Sequence, residues 1–166
     1  VVAAPSNLDD VEDVLQTAIR HRCGFQISPE IVGVKANPDL LRNKKYQTLM
    51  KRVLGEKRGG RGVLGVKEYL RGIHGFDRFP CHPLLMPVIR PDGAMYYPCL
   101  ESKQAEINLL SEKSYWSALQ NIRNRRGEVP DCSSCCHIFC HMAISLLQRN
   151  PVSALGELKN WRHLYA

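Results

Sequence analysis

Val88-Ile89-Arg90-Pro91-Asp92-Gly93-Ala94-Met95-Tyr96-Tyr97-Pro98-Cys99 is the stretch on which the fold of this chain turns. Leu84 to Ile89 is apolar with an extended pattern, Pro91-Asp92-Gly93 is a turn signal, and Ala94 to Tyr97 runs back. Asp-Gly between two short apolar runs predicts a β-hairpin, because the glycine accepts the positive φ of a tight hairpin turn. Cys81 stands before the first arm and Cys99 follows the second. A hairpin returns its chain to where it began, so these two thiols are expected close together.

Four further cysteines lie in Asp131-Cys132-Ser133-Ser134-Cys135-Cys136-His137-Ile138-Phe139-Cys140-His141, ahead of an apolar helical pattern. Cys132, Cys135 and Cys140 make C-x2-C-x4-C, and Cys136 makes C-x3-C with Cys140. Thiols this crowded bridge one another poorly but suit ligation of a single metal centre. Seven cysteines without a secretory signal point to a reducing compartment, and the chain is expected to be cytoplasmic. The six cysteines after residue 80 exceed the four thiolates of one 4Fe–4S cluster and fall short of the eight of two. Zinc is the rival, since two cysteine pairs make a four-thiolate site and His137 or His141 can replace one sulfur. Spacing alone leaves iron–sulfur and zinc level. Taken singly, His82, His137 and His141 read as residues around such a site or on the surface. Cys23 reads as a small buried residue, and Trp116 and Trp161 as core.

Upstream, Val1 to Ala4 reads as a short buried strand, followed by a helix capped by Asn7 with Asp10 three residues on. Leu8, Val11, Val14, Leu15, Ala18 and Ile19 keep helical spacing up to a stop at Gly24. Extended segments at Phe25 to Ile27 and Ile31 to Val34 follow, broken by Ser28-Pro29, so the order is strand, helix, strand. A second helix is expected from about Asp39 to Gly55, a flexible basic loop over Gly55 to Gly62, and a short helix from Val66 to Ile73. Ser114 is placed to cap a helix through Arg125 with Trp116, Leu119 and Ile122 inward. His141 to Gln148 and Pro151 to Trp161 close the chain as helices that pack Met142, Leu146, Leu147, Leu155 and Leu158.

The net charge is +7, with basic residues gathered at Lys51, Arg52, Lys57, Arg58 and Arg61 and again at Arg123, Arg125 and Arg126. These stretches have no interleaved aromatics on which bases would stack, so they read as solvated helix ends and loops, and no nucleic-acid partner is expected. No apolar run approaches the ~20 residues of a membrane span. Val1-Val2-Ala3-Ala4-Pro5 has no basic n-region, is not a signal peptide, and looks like a strand met in mid-protein, so the chain is expected to be a fragment. The glycines of Gly55 to Gly62 stand in too basic a setting, without strand-then-helix context, to count as a phosphate loop.

With these residues in view, the chain resembles the C-terminal auxiliary-cluster region of radical SAM enzymes, of the SPASM or twitch type. The resemblance rests on Cys81, eleven residues, Gly93, five residues, Cys99, then Cys132-x2-Cys135 and Cys140. The phrase Val88 to Cys99 is similar to that family's hairpin, and Leu109 to Trp116 to its following helix start. Val1 to Cys23 is similar, more weakly, to a late strand and helix of the radical SAM barrel. The family's C-x3-C-x2-C motif for the catalytic cluster does not occur in these residues, nor do its glycine-rich segments for S-adenosylmethionine.

The resemblance implies an α/β chain with the C-terminal portion of a partial (β/α) barrel over 1–78. A small α+β auxiliary-cluster domain, with a β-hairpin and C-terminal helices, would follow over 79–166. It implies one auxiliary 4Fe–4S cluster with Cys81, Cys99, Cys132, Cys135 and Cys140 as candidate ligands, Cys136 standing as a spare. S-adenosylmethionine, an electron donor such as flavodoxin or ferredoxin, and a peptide, lipid or small-molecule substrate are implied for a full-length enzyme. No catalytic residue is assigned. The alternative is a zinc-binding module that contacts nucleic acid through the basic loop.

Overall fold

The computed structural model of the 166-residue chain describes residues 1–101, 105–127 and 136–158, with Arg162 and Leu164. Strand β1 (Val2–Ala3) and strand β2 (Ser28–Pro29) pair in parallel, with Val2 opposite Ser28 and Ala3 opposite Pro29. Helix α1 (Leu8–Arg20) connects them, so the strand, helix, strand order read from the sequence is present. Pro29 cannot donate, and the ladder closes around it through Ser28 N to Val1 O (3.0 Å) and Glu30 N to Ala3 O (2.8 Å).

Strand β3 (Ile31–Val32) then pairs antiparallel with β4 (Lys35–Ala36). Helices α2 (Pro38–Arg42) and α3 (Lys44–Gly59) lead to a second parallel bridge, Phe25 with Val63. The segment 25–29 thus lies between the first strand and Val63, and α4 (Lys67–Gly75) follows. The protein is mixed α/β, and among the described residues the short parallel strands do not close into a barrel.

Apolar spacing on these helices builds the first core. Leu8, Val11, Leu15 and Ala18 of α1, Tyr46, Leu49, Met50 and Val53 of α3, and Tyr69, Leu70 and Ile73 of α4 are buried together around Ala3, Phe25, Ile27 and Val63. Each of the valine, leucine, isoleucine, methionine and phenylalanine side chains among them contributes about 1.5–3 kcal/mol by leaving water. The two buried tyrosines keep their hydroxyls satisfied, Tyr46 donating to Ile73 O (2.8 Å) and Tyr69 to Ile27 O (2.9 Å).

Several local expectations are corrected. Asn7 makes no cap bond to α1; its Oδ1 accepts from Ala4 N and its Nδ2 donates to Val2 O, which fastens the β1 turn instead. The single helix expected from Asp39 to Gly55 is two, because Asn43 Oδ1 accepts from Lys45 N and Tyr46 N and starts α3 afresh. The supposed loop after Gly55 is helical to Gly59, and Gly60 ends it in the left-handed region. Cys23 is exposed, not buried.

In the second half, a short 3-10 helix, Pro83–Leu85, replaces part of the expected first hairpin arm. The hairpin itself is a single antiparallel bridge, Ile89 with Met95, supported by Arg90 N to Ala94 O (2.8 Å) and Tyr96 N to Val88 O (3.1 Å). Strand β5 (Ala94–Tyr97) finds its main partner in β6 (Ala105–Asn108), from Ala94 opposite Asn108 to Tyr97 opposite Ala105. That pairing was missed in the sequence because the apolar/polar alternation of β6, Ala105-Glu106-Ile107-Asn108, is only four residues long.

Helix α5 (Tyr115–Arg126) begins at Ser114, in a reciprocal cap with Ser117. Leu119 and Ile122 face a second core of Met95, Tyr97, Ile107 and Ala118, whereas Trp116 is 72% exposed and belongs to no core. Helix α6 (Phe139–Arg149) follows, then a 3-10 helix over Pro151–Gly156 on which Leu155 is exposed, as is Leu158 beyond it; neither packs as expected. Trp161 lies outside the described residues. Met142 of α6 is buried in the first core, opposite Gly72 of α4, where a Cβ would run into the Met142 methyl group.

Candidate metal centre

Four of the six clustered cysteines are described. Cys81 is half-buried and packs against the first core, Cys99 is half-buried beyond β5, Cys136 is buried (7% exposed), and Cys140 is exposed in the first turn of α6. Cys132 and Cys135 lie outside the described residues. Among the described residues, no three His, Cys, Asp or Glu side chains come together as a group that could hold a metal ion.

The structure ties the segment that carries Cys81 to helix α6. The main-chain N–H of His82, next to Cys81, donates to Ser145 Oγ at 2.8 Å, and Ser145 is fully buried on α6. His141 stands one turn before Ser145 on the same face. Burial lowers the His141 pKa, and the Glu101 carboxylate, two residues after Cys99, raises it in part. The His82 bond thereby fastens the chain before the hairpin to α6. Cys140 acts in another direction: burial holds the Tyr69 hydroxyl above its ordinary pKa, the Ser28 hydroxyl lowers it, and the Cys140 sulfur raises it further.

His137 was read from the sequence as peripheral, yet it is only 3% exposed. Its ring lies 5.2 Å from that of Phe76 and 5.9 Å from that of Phe79, centroid to centroid. Nε2 is 3.0 Å from the Asp77 carbonyl oxygen, and Nδ1 is buried with no hydrogen-bond partner among the described residues. The one available signal was its position between Cys136 and the start of α6. Alone, that position does not distinguish a packed ring from a donor.

The basic stretch is largely engaged with acids. Lys57 Nζ is 2.6 Å from Glu157, Arg52 pairs with Glu12, Arg61 Nη1 is 3.0 Å from Glu56, and nearby Lys45 Nζ is 2.8 Å from Asp9. An open cavity of about 390 Å³ lies beside Lys57, Lys67 and Glu68, on a different set of residues from the cysteines. Gly60-Arg61-Gly62-Val63-Leu64-Gly65 has G-x-G-x-x-G spacing, but it follows helix α3, not the strand that a dinucleotide loop requires.

Comparison with models of protein families, with curated proteins and with solved structures found no match to the chain. Among the described residues, no helix is long and apolar enough to cross a membrane.

Proposed function

We propose that this chain supplies the auxiliary-cluster region of a radical SAM enzyme: the last strands and helices of a partial barrel, then a domain that holds one 4Fe–4S cluster. The observation that carries the reading is the cysteine order Cys81, Gly93, Cys99, Cys132, Cys135, Cys140. It is supported by Gly93 at φ 82 in the turn and by the bond that ties the Cys81 segment to α6. Soft sulfur donors in this order suit an iron–sulfur centre. Cys81, Cys99, Cys135 and Cys140 would hold it, with Cys132 as the alternative fourth thiolate.

When bound, such a cluster supplies an open coordination position for substrate or a one-electron relay. The chain's own part would be to present deprotonated thiolates and tune the potential through hydrogen bonds and burial. Reductive cleavage of S-adenosylmethionine would belong to a C-x3-C-x2-C cluster, fed by a flavodoxin or ferredoxin, and the substrate would be a peptide, a lipid or a small molecule.

The rival is a zinc module that contacts nucleic acid. Pairing of Arg52, Lys57 and Arg61 with carboxylates leaves that reading less basic surface. Anaerobic purification with metal and sulfide analysis separates the two. Brown protein with iron and sulfide in equal amounts is expected, whereas colourless protein with one zinc sinks the cluster.

A further inference from the structure

We propose that the exposed face of helix α5 binds single-stranded nucleic acid, with Trp116 stacking a base and Arg123, Arg125 and Arg126 contacting phosphates. The inference goes beyond the auxiliary-cluster reading and does not depend on which metal the thiols hold. These arginines read as a solvated helix end only while Trp116 is counted as core. The indole is instead 72% exposed. Gln120, Arg123 and Asn124 follow it at i+4, i+7 and i+8 on one helix face, and all three are exposed. Tyr115, packed on the second core, meets Trp116 edge-on at 5.4 Å between ring centroids. That contact steadies the indole while most of it stays in water.

Charge on this helix is unspent. From Glu112 to Arg126, the cations Lys113, Arg123, Arg125 and Arg126 stand against the carboxylate of Glu112 alone, a net +3 of the chain's +7. Glu112 accepts from Asn121 Nδ2 at 2.9 Å, and among the described residues no carboxylate pairs with the three arginines. At 1.5 Å per residue, Trp116 and Arg123 lie ~10 Å apart along the axis, so one strand can stack on the first and run its phosphates past the second. Between them the exposed positions carry the amides of Gln120, Asn121 and Asn124, because Ala118, Leu119 and Ile122 turn inward. A protein partner would need an apolar surround for its anchor, which this face lacks. The helix dipole accounts for cations at this end but not for an indole in water.

The test follows fluorescence anisotropy of a labelled oligouridylate of about 16 nucleotides, the upper end of a single-strand site, with the full chain. Binding that weakens as salt rises is expected, with a duplex of the same length bound less tightly. Trp116→Ala should weaken it roughly ten- to a hundredfold without moving the urea midpoint, and Trp116→Phe should keep much of it. Arg123→Gln should lower the slope of log affinity against log salt by about 0.7, and Arg61→Gln should leave both unchanged. No binding at low salt, or undiminished binding in Trp116→Ala, overturns the inference. Loss in Arg61→Gln alone also overturns it, by moving the contact to the basic loop. So does tighter binding of polyglutamate or of phosphatidylserine vesicles, which would make the partner an acidic protein or a membrane.

Discussion

Lys57 and Glu157, a hundred positions apart, form an ion pair in which Nζ is 2.6 Å from both carboxylate oxygens, with the two side chains 5% and 19% exposed. Nζ also donates to Val63 O at 2.8 Å, so the pair joins α3, the strand segment at Val63 and the end of the chain. Removing one partner strands a buried charge, at a cost of about 3–5 kcal/mol in well-buried cases. Glu157→Gln should therefore lower the midpoint of urea unfolding more than Glu12→Gln, whose partner Arg52 is 37% exposed. Equal midpoints would show that the pair contributes no more than a surface contact.

The same lysine sets a pH dependence. Burial lowers the Lys57 pKa below its ordinary value, and the hydrogen bond and charge of Glu157 raise it only in part. In the window between the folded and unfolded values the unfolded chain binds more protons, so this group's contribution to stability increases as pH rises. It is complete above the ordinary lysine value and lost as pH falls through the folded one. In Glu157→Gln the folded value drops further, so the rise should begin at lower pH and be larger. Urea midpoints between neutral and alkaline pH measure it, and parallel curves for parent and variant would contradict it.

Gly93 stands at φ 82, and a Cβ there would lie 2.5 Å from Leu110 Cγ. Gly93→Ala meets both the left-handed penalty of about 1 kcal/mol and a clash with a neighbouring side chain. A loss of roughly 1–3 kcal/mol is expected. Gly93→Ala with Leu110→Ala should recover the clash but not the backbone cost. Full recovery in the double variant would mean that the turn tolerates an L-residue.

Ser145→Ala removes the acceptor of the His82 N–H, at a cost of about 1 kcal/mol. Because that bond ties the Cys81 segment to α6, the variant should release iron to a chelator faster than the parent, while Ser153→Ala should not. Identical release rates would show that this bond does not hold the centre.

Thiol reactivity offers a direct check on the cysteine positions. In the metal-free chain, Cys23 and Cys140 are exposed and Cys136 is buried, so alkylation followed by peptide mapping should find the first two modified earlier. Loading with iron and sulfide should protect Cys140 and leave Cys23 unchanged. Alkylation of Cys140 at an unchanged rate after loading would remove it from its assigned role.

The first half of the chain was legible where period and punctuation agreed. Leu8, Val11, Leu15 and Ala18 gave α1, and Ser114 marked the start of α5, because each is a local rule that tertiary contacts reinforce. Asn43 was missed because its cap interrupts an apolar pattern that reads as continuous through α2 and α3. Trp116 was placed inward by helical spacing, but α5 turns Leu119 and Ile122 to the core and leaves the indole outside. Of the candidate centre, the cysteine order was visible at once. The burial of His137 was not, since it depends on Phe76, Phe79 and the Asp77 carbonyl, some sixty residues away.

Met142 has a consequence for how this chain melts. It lies on the same helix as Cys140 and Ser145 but is buried in the first core against Gly72 of α4. Helix α6 cannot loosen without opening the first core. Free energy gained by ligating a metal at one end of that helix is thus spread over the amino-terminal helices as well. Loading the thiols should shift a single thermal transition of the whole chain, and amides of α3 should exchange more slowly as a result.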